Sequence, residues 1–407
     1  MRYGINCLGV HLRSVVRINN TAPNIVNKLN SNFCPAPWMS LFAHGDSTGI
    51  CCVDTGKLKV SPLEFRSSQH LKEIKQQFLE GKQPSICSTC WRSESQGLQS
   101  IRQHYIKNNP EYTDSTKFSL DTELPVEHIE LRSSNLCNFS CRMCNGQNSI
   151  EIKREIENKS HLSKWFYSGN FDSDMPEKNW KEVLEITKNL KKLFLTGGEP
   201  LLMKEYYDLL QHIIDTGRSK EISLIIYTNC SVYNPKFIDM LLQFKNVKLC
   251  LSVDAVGKVA EYQRHGTKWN VVYENVMKFC KLPFQIQIQS TISAYTLLDF
   301  SKLSSFYNEI LKLKNDAVFN AHVVLNPRPL NYMNLFGDLR NKAIQEIEIS
   351  LSELEDNCFY QVKNQLKNIL TNLREGDTID STSFVNMTKD LDVSRNENFQ
   401  EVFGYII

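Results

Sequence analysis

From about residue 126 onward, two hydrophobic periods alternate along the chain. Short apolar, β-branched runs (VEHIELR, KKLFLTG, ISLIIYT, VKLCLSV, FQIQIQSTI and VFNAHVVL) are separated by stretches with apolar residues at i, i+3 and i+4. KEYYDLLQHIIDTG and NPKFIDMLLQF each predict an amphipathic helix of this kind. Six predicted strands separated by helices argue for an α/β fold of right-handed β-α units around a parallel sheet. Such units carry ligand-binding loops at the C-terminal ends of their strands. Upstream, LEFRSSQHLKEIKQQFLEG predicts one helix stopping at Gly81, and NNPEYTDSTKFSLDTELP, with Pro110 and Pro125, is the best linker. From Leu335 the pattern is helical: Ile347, Leu351, Leu354, Cys358, Val362, Leu366, Ile369 and Leu373 recur every three or four residues, and SFVNMTKDLDVSRNENFQEVF predicts one more helix.

Composition narrows the class. At about 100–200 residues per domain, 407 residues allow two or three domains. Lys plus Arg number 47 against 45 Asp plus Glu, a formal charge of +2, which argues against a nucleic-acid partner because phosphate binding needs a basic surface. No run approaches the about 18 apolar residues of a membrane span, and the start lacks an apolar block of signal-peptide length. A cytoplasmic protein without a membrane partner is therefore expected. Thiols stay reduced there, so clustered cysteines point to metal or catalysis. Of 13 cysteines, eight lie between Cys34 and Cys144.

The strongest chemical signal is SSNLCNFSCRMCNG directly after the first strand of the β-α series, where Cys137, Cys141 and Cys144 form a C-x3-C-x2-C triplet. Three thiolates can hold three irons of a 4Fe-4S cluster and leave the fourth open; a zinc site and three structural thiols are the bland alternatives. The triplet resembles the signature of the radical S-adenosylmethionine (SAM) enzymes. That resemblance implies a partial (βα)6 TIM-like barrel, an open iron that chelates SAM, and reductive cleavage to a 5′-deoxyadenosyl radical that removes hydrogen from a substrate. Met143 stands where the family commonly has an aromatic residue. The second strand runs into Gly197, Gly198, Glu199 and Pro200, which resembles the family's GGEP element holding the SAM amino group. Glycines let carbonyls approach an ammonium and the carboxylate favours its charge. LSVDAVGKVAEYQRHG resembles the fourth-strand segment, which implies Ser252, and less directly Asp254, on the ribose and Arg264 on the SAM carboxylate. In YTNCS, Cys230 stands where the family often has glycine; a small buried core residue is the expected reading.

The amino-terminal cysteines resemble the auxiliary-cluster modules called twitch or SPASM domains. A cysteine with a Pro-Trp pair (Cys34, Pro37, Trp38), a hairpin ending in Cys51 and Cys52, and a closing Cys87 and Cys90 carry this resemblance. It implies a second 4Fe-4S cluster with four cysteine ligands, zinc being the alternative. One of Cys51 and Cys52 is surplus, because neighbouring strand residues point oppositely, and the hairpin alignment favours Cys51. The expected layout is an irregular lead-in over 1–30, a twitch-like iron-sulfur domain over 31–110, the radical SAM core over 124–330 and a C-terminal helical extension over 335–407. Expected partners are SAM, an electron donor such as flavodoxin or ferredoxin, and a peptide or protein substrate. A small metabolite such as a nucleotide-linked sugar, or a non-catalytic iron-sulfur or zinc scaffold, remain the alternatives.

Overall fold

Each of the six expected strands forms, and among the described residues four more join them. The structure, a computed structural model, describes residues 32–95, 99–166, 174–354 and 357–407; the lead-in expected over 1–30 lies outside these, with Cys7. The strands are β1 (Ser40–His44), β2 (Ser47–Gly49), β3 (His128–Arg132), β4 (Ser140–Cys141), β5 (Lys192–Leu195), β6 (Ser223–Thr228), β7 (Asn246–Ser252), β8 (Arg264–His265), β9 (Gln285–Ile292) and β10 (Val318–Val323). The sheet is mostly parallel, as the β-α alternation predicts and as a partial barrel requires.

The chain divides into two compact units. The first takes the described residues up to Ser133 with those of Asp172–Phe194 and His212–Ser223. Its strands run in the order β2-β1-β3-β5. The hairpin of β1 and β2 is antiparallel, pairing Phe42 with Gly49 and His44 with Ser47. Its β1 also lies parallel to β3, from Ser40 beside His128 to His44 beside Arg132. That second pairing was not legible in the sequence, because SLFAH is too short and too mixed to announce a sheet strand. The single helix expected from LEFRSSQHLKEIKQQFLEG is two, Pro62–Ser67 and Gln69–Leu79. Ser68 breaks the run in an extended conformation (φ −69°, ψ 147°), and its hydroxyl accepts from the Leu71 N–H at 3.1 Å. A serine at this point caps better than it continues. Trp38, Phe33 and Phe118 form an aromatic core with ring centroids 5.0–5.5 Å apart.

The second unit comprises the described residues of Ser134–Phe171, Leu195–Gln211 and Leu224–Ile407. Its strands order β6-β7-β9-β10, with β7, β9 and β10 parallel; β4 and β8 form a separate antiparallel ladder. Helix Phe300–Leu313 covers one face: Phe319 of β10 lies 5.1 Å from Tyr307 and 4.8 Å from Phe359, ring to ring. The helical period from Leu335 resolves into Gly337–Glu353 and Tyr360–Glu375. The one helix expected beyond is again two, Ser381–Arg395 and Phe399–Phe403. Asn396 turns left-handed between them (φ 53°) and Asn398 caps the second, a change of direction that asparagine tolerates and a hydrophobic period does not reveal. Among the described residues no helix is long and apolar enough to cross a membrane.

Candidate active site and cysteine cavity

The loop that carries the expected cluster cysteines is built by backbone and side-chain hydrogen bonds within the second unit. Cys141 sits in β4 opposite Arg264 of β8. The Cys144 N–H donates to the Cys141 carbonyl at 3.0 Å, and Asn135 Nδ2 donates to the Gly146 carbonyl at 2.8 Å. Ser149 then caps helix Ile150–Asn158 while its hydroxyl donates to the Phe139 carbonyl at 2.6 Å. Burial pushes the Cys137 thiol up, with Cys141 and Cys144 adding to the shift, and pushes Cys141 up to about 12. Thiols raised in this way ionise readily only where a metal cation takes the place of the proton, as cluster ligands do.

The GGEP turn docks on that loop. Gly198 and Glu199 donate their N–H groups to the carbonyls of Ser134 (3.3 Å) and Leu136 (2.8 Å). A Cβ at Gly198 would fall 2.1 Å from the Leu136 carbonyl oxygen, and Gly197 has φ +117°. Glycine is thus required here for close packing on the cluster loop, a reason the sequence does not show. Glu199 is fully buried, and burial pushes its carboxyl up to about 7 against three donors: the Thr228 hydroxyl at 2.8 Å, the Asn229 N–H at 2.6 Å and the Leu201 N–H at 3.2 Å.

Asn229 is the residue that sequence reasoning passed over in YTNCS. Its Nδ2 donates to Cys137 Sγ at 3.8 Å and to Asn138 Oδ1 at 3.1 Å, so it joins Glu199 to Cys137, an expected ligand. Hydrogen bonds to cluster sulfurs tune potential. Next to it, Cys230 is fully buried with φ +61°, which explains why glycine suits the position; burial holds its thiol well above the ordinary range, as an inert core cysteine.

Ser252 is half-buried at the end of β7. Asp254 and Arg264 meet directly: Arg264 Nε donates to Asp254 Oδ2 at 2.6 Å, while Asp254 Oδ1 accepts from the Thr291 N–H at 2.6 Å. Burial works against the Arg264 charge, and Asp254 together with Cys141 and Cys230 more than offsets it, raising the guanidinium's pKa. With both its oxygens engaged, Asp254 orients Arg264. Arg142, between two cluster cysteines, also escaped the sequence reading. Its fully buried guanidinium lies 3.6 Å from the Tyr262 ring and pairs with Asp392 of helix Ser381–Arg395 and with Glu397, just past that helix, at 2.5 Å each. Glu397 also holds His265 Nδ1 at 2.7 Å.

In the first unit, Cys34, Cys51, Cys87 and Cys90 line one cavity with Asp54 and Arg102. Cys51 and Cys52 lie in a turn after β2, not in a strand as the sequence argument assumed. Cys51 lines the cavity, whereas Cys52 packs with Phe42, Val53 and Cys90 in a cluster that Cys51 also touches. Burial pushes Cys34 up to about 12 and raises Cys51, Cys87 and Cys90, whose charges act on one another. Arg102, paired with Glu94, opposes the shift at Cys34, Cys87 and Cys90 and favours thiolates. A single ion needs each sulfur about 2.3 Å from one point; among the described residues no group of three or more His, Cys, Asp or Glu is gathered that tightly.

Residues 131–299 match the family model of the Radical SAM superfamily. Over that stretch, which holds Cys137, Cys141, Cys144 and the GGEP turn, the chain is similar to radical SAM domains. Among known proteins it is similar to the radical SAM cyclopropyl synthase TigE of Paramaledivibacter caminithermalis, 23% identical over 255 residues, covering 61% of this chain and 52% of that protein. The chain thus spans about half the length of that relative. Among solved structures, native anSMEcpe with bound AdoMet is 16% identical over 58% of this chain and 61% of its own, with a TM-score of 0.39. Streptococcus suis SuiB bound to precursor peptide SuiA is 13% identical over 71% and 67%, also at 0.39.

Proposed function

We propose that the protein cleaves SAM reductively at an open 4Fe-4S cluster on Cys137, Cys141 and Cys144 and uses the resulting carbon radical to take hydrogen from a peptide or protein. The observation that carries this reading is the cluster loop and the GGEP turn hydrogen-bonded to each other inside a radical SAM domain. When bound, the cluster and SAM would supply the electron and the radical. The chain's own residues do the rest: the Gly197–Glu199 turn receives the SAM amino group, Arg264, held by Asp254, receives its carboxylate, and Ser252 faces the ribose. Asn229 sets the hydrogen bonding of Cys137.

Cys34, Cys51, Cys87 and Cys90 would hold an auxiliary 4Fe-4S cluster in a twitch-like domain over 31–110, beside a core over 124–330 and a helical extension over 335–407. The peptide reading rests on the resemblance to auxiliary-cluster enzymes; a nucleotide-linked sugar is the runner-up. The electron would come from a flavodoxin or ferredoxin. Anaerobic reconstitution tests the whole: about eight irons per chain supports two clusters, about four irons with one zinc a mixed protein. If the Cys137→Ala, Cys141→Ala, Cys144→Ala protein still formed 5′-deoxyadenosine under reducing conditions, the assignment would fail.

A further inference from the structure

One face of the second unit's sheet carries polar side chains that the reading above does not use. Alternate residues of a strand turn to opposite faces, so Gln285, Gln287 and Gln289 of β9 share a face. Strand register extends it sideways: Ser252, Gln289 and Asn320 are Cα partners across β7, β9 and β10, Cys250, Gln287 and Val318 form the row before, and Thr291 and His322 continue the row after. The other face is the one covered by helices, where Phe319 meets Tyr307 and the Tyr307 hydroxyl donates to Ser290. A sheet face serving only as core would be apolar. Here Gln287 Nε2 donates to Gln289 Oε1 at 2.8 Å, and Asn320, 1% exposed, has neither Nδ2 nor Oδ1 hydrogen-bonded within the described residues. A buried carboxamide without partners costs stability, so its retention calls for an occupant.

The geometry points to this row as the substrate-binding wall, with Asn320 holding one residue of an extended peptide by its backbone N–H and C=O. The inference rests on the peptide reading above and names the contact that reading lacks. A carboxamide presents a donor and an acceptor side by side. One residue of an extended chain presents the complement along one edge, as strands exchange in an antiparallel ladder. Charge favours a neutral occupant over a nucleotide diphosphate, which calls for a cationic clamp. Among these register positions the one lysine or arginine is Lys248, four residues before Ser252, and burial lowers the pKa of its amine. The wall also adjoins the SAM-facing residues: Ser252 shares its row, and Asp254, through which Arg264 is held, bonds Thr291 in the next.

The test uses the full chain, anaerobically reconstituted with SAM, and a mixture of N-acetylated, C-amidated pentapeptides of randomised sequence in equilibrium dialysis read by mass spectrometry. The wild type should enrich a subset at least about tenfold, and both Asn320→Leu and the isosteric Asn320→Asp should lose that enrichment while SAM still perturbs the reduced cluster's electron paramagnetic resonance. Asn320→Leu should also raise the thermal midpoint by about 1–3 °C, because it removes an unsatisfied polar group; a structural asparagine would lower it. Equal enrichment by wild type and variants, no enrichment at all, Asn320-dependent binding of UDP-glucose, or a lowered midpoint each overturns the inference. A wild-type cluster that SAM leaves unperturbed sinks the radical SAM reading itself, and this inference with it.

Discussion

At the scale of single residues, two positions illustrate how burial and backbone geometry set chemistry. Cys230 occupies φ +61° with its thiol fully buried, and a non-glycine residue there costs about 1–2 kcal/mol. Cys230→Gly relieves that strain and loses the thiol's burial, so chemical denaturation should find it within about 1 kcal/mol of the wild type. Cys230→Val, β-branched in the same conformation, should cost about 3 kcal/mol or more. His128 of β3 is buried and stacked on Tyr105 at 5.8 Å. Burial lowers its pKa from 6.5 to about 3, with Lys192 and Lys191 adding to the shift. The unfolded chain therefore binds a proton that the native chain refuses. The stability contribution is complete above the unfolded pKa and is lost as the pH falls from 6.5 towards about 3, at up to about 1.4 kcal/mol per pH unit. His128→Phe should flatten the acid side of the stability profile between about pH 7 and pH 5; an unchanged slope would show that other groups govern it.

Among the elements, the C-terminal helices are joined to the cluster loop by buried charge. Arg142 lies between two cluster cysteines and is neutralised by Asp392 near the end of Ser381–Arg395 and by Glu397 just past the Asn396 turn. Arg395 pairs with Glu155 of the helix that follows the loop. Leaving a buried guanidinium uncompensated costs about 3–5 kcal/mol, so Asp392→Asn with Glu397→Gln should destabilise the fold by that order. The double variant should also lower the iron retained per chain after gel filtration, whereas Lys302→Ala, an exposed pair with Asp299, should retain it. None of this was legible in the sequence, because the partners stand 250 and 255 positions apart in the chain and a lone arginine in a loop carries no period. What was legible is local. The β9 run FQIQIQSTI shows its strand by alternation, and the cysteine triplet and GGEP announce themselves by spacing. Asn229, Asn320 and the Ser68 and Asn396 breaks act through long-range contacts or single backbone angles, to which hydrophobic periods are blind.

Over the whole molecule, the two cysteine sites draw on separate parts of the chain. Cys34, Cys51, Cys87 and Cys90 all belong to the first compact unit, and Cys137, Cys141 and Cys144, with every residue expected to hold SAM, belong to the second. The Cys141 ladder, the GGEP docking and the Arg142 charge cluster are completed within the second unit. Metal occupancy should therefore be separable. In a chain carrying Cys34→Ala, Cys51→Ala, Cys87→Ala and Cys90→Ala, iron should fall by about half, to about four per chain. SAM should still perturb the spectrum of the remaining reduced cluster and still be cleaved in the absence of substrate. Loss of the SAM-dependent signal in this variant, with the protein folded by circular dichroism, would mean that the first unit is needed to assemble the second site.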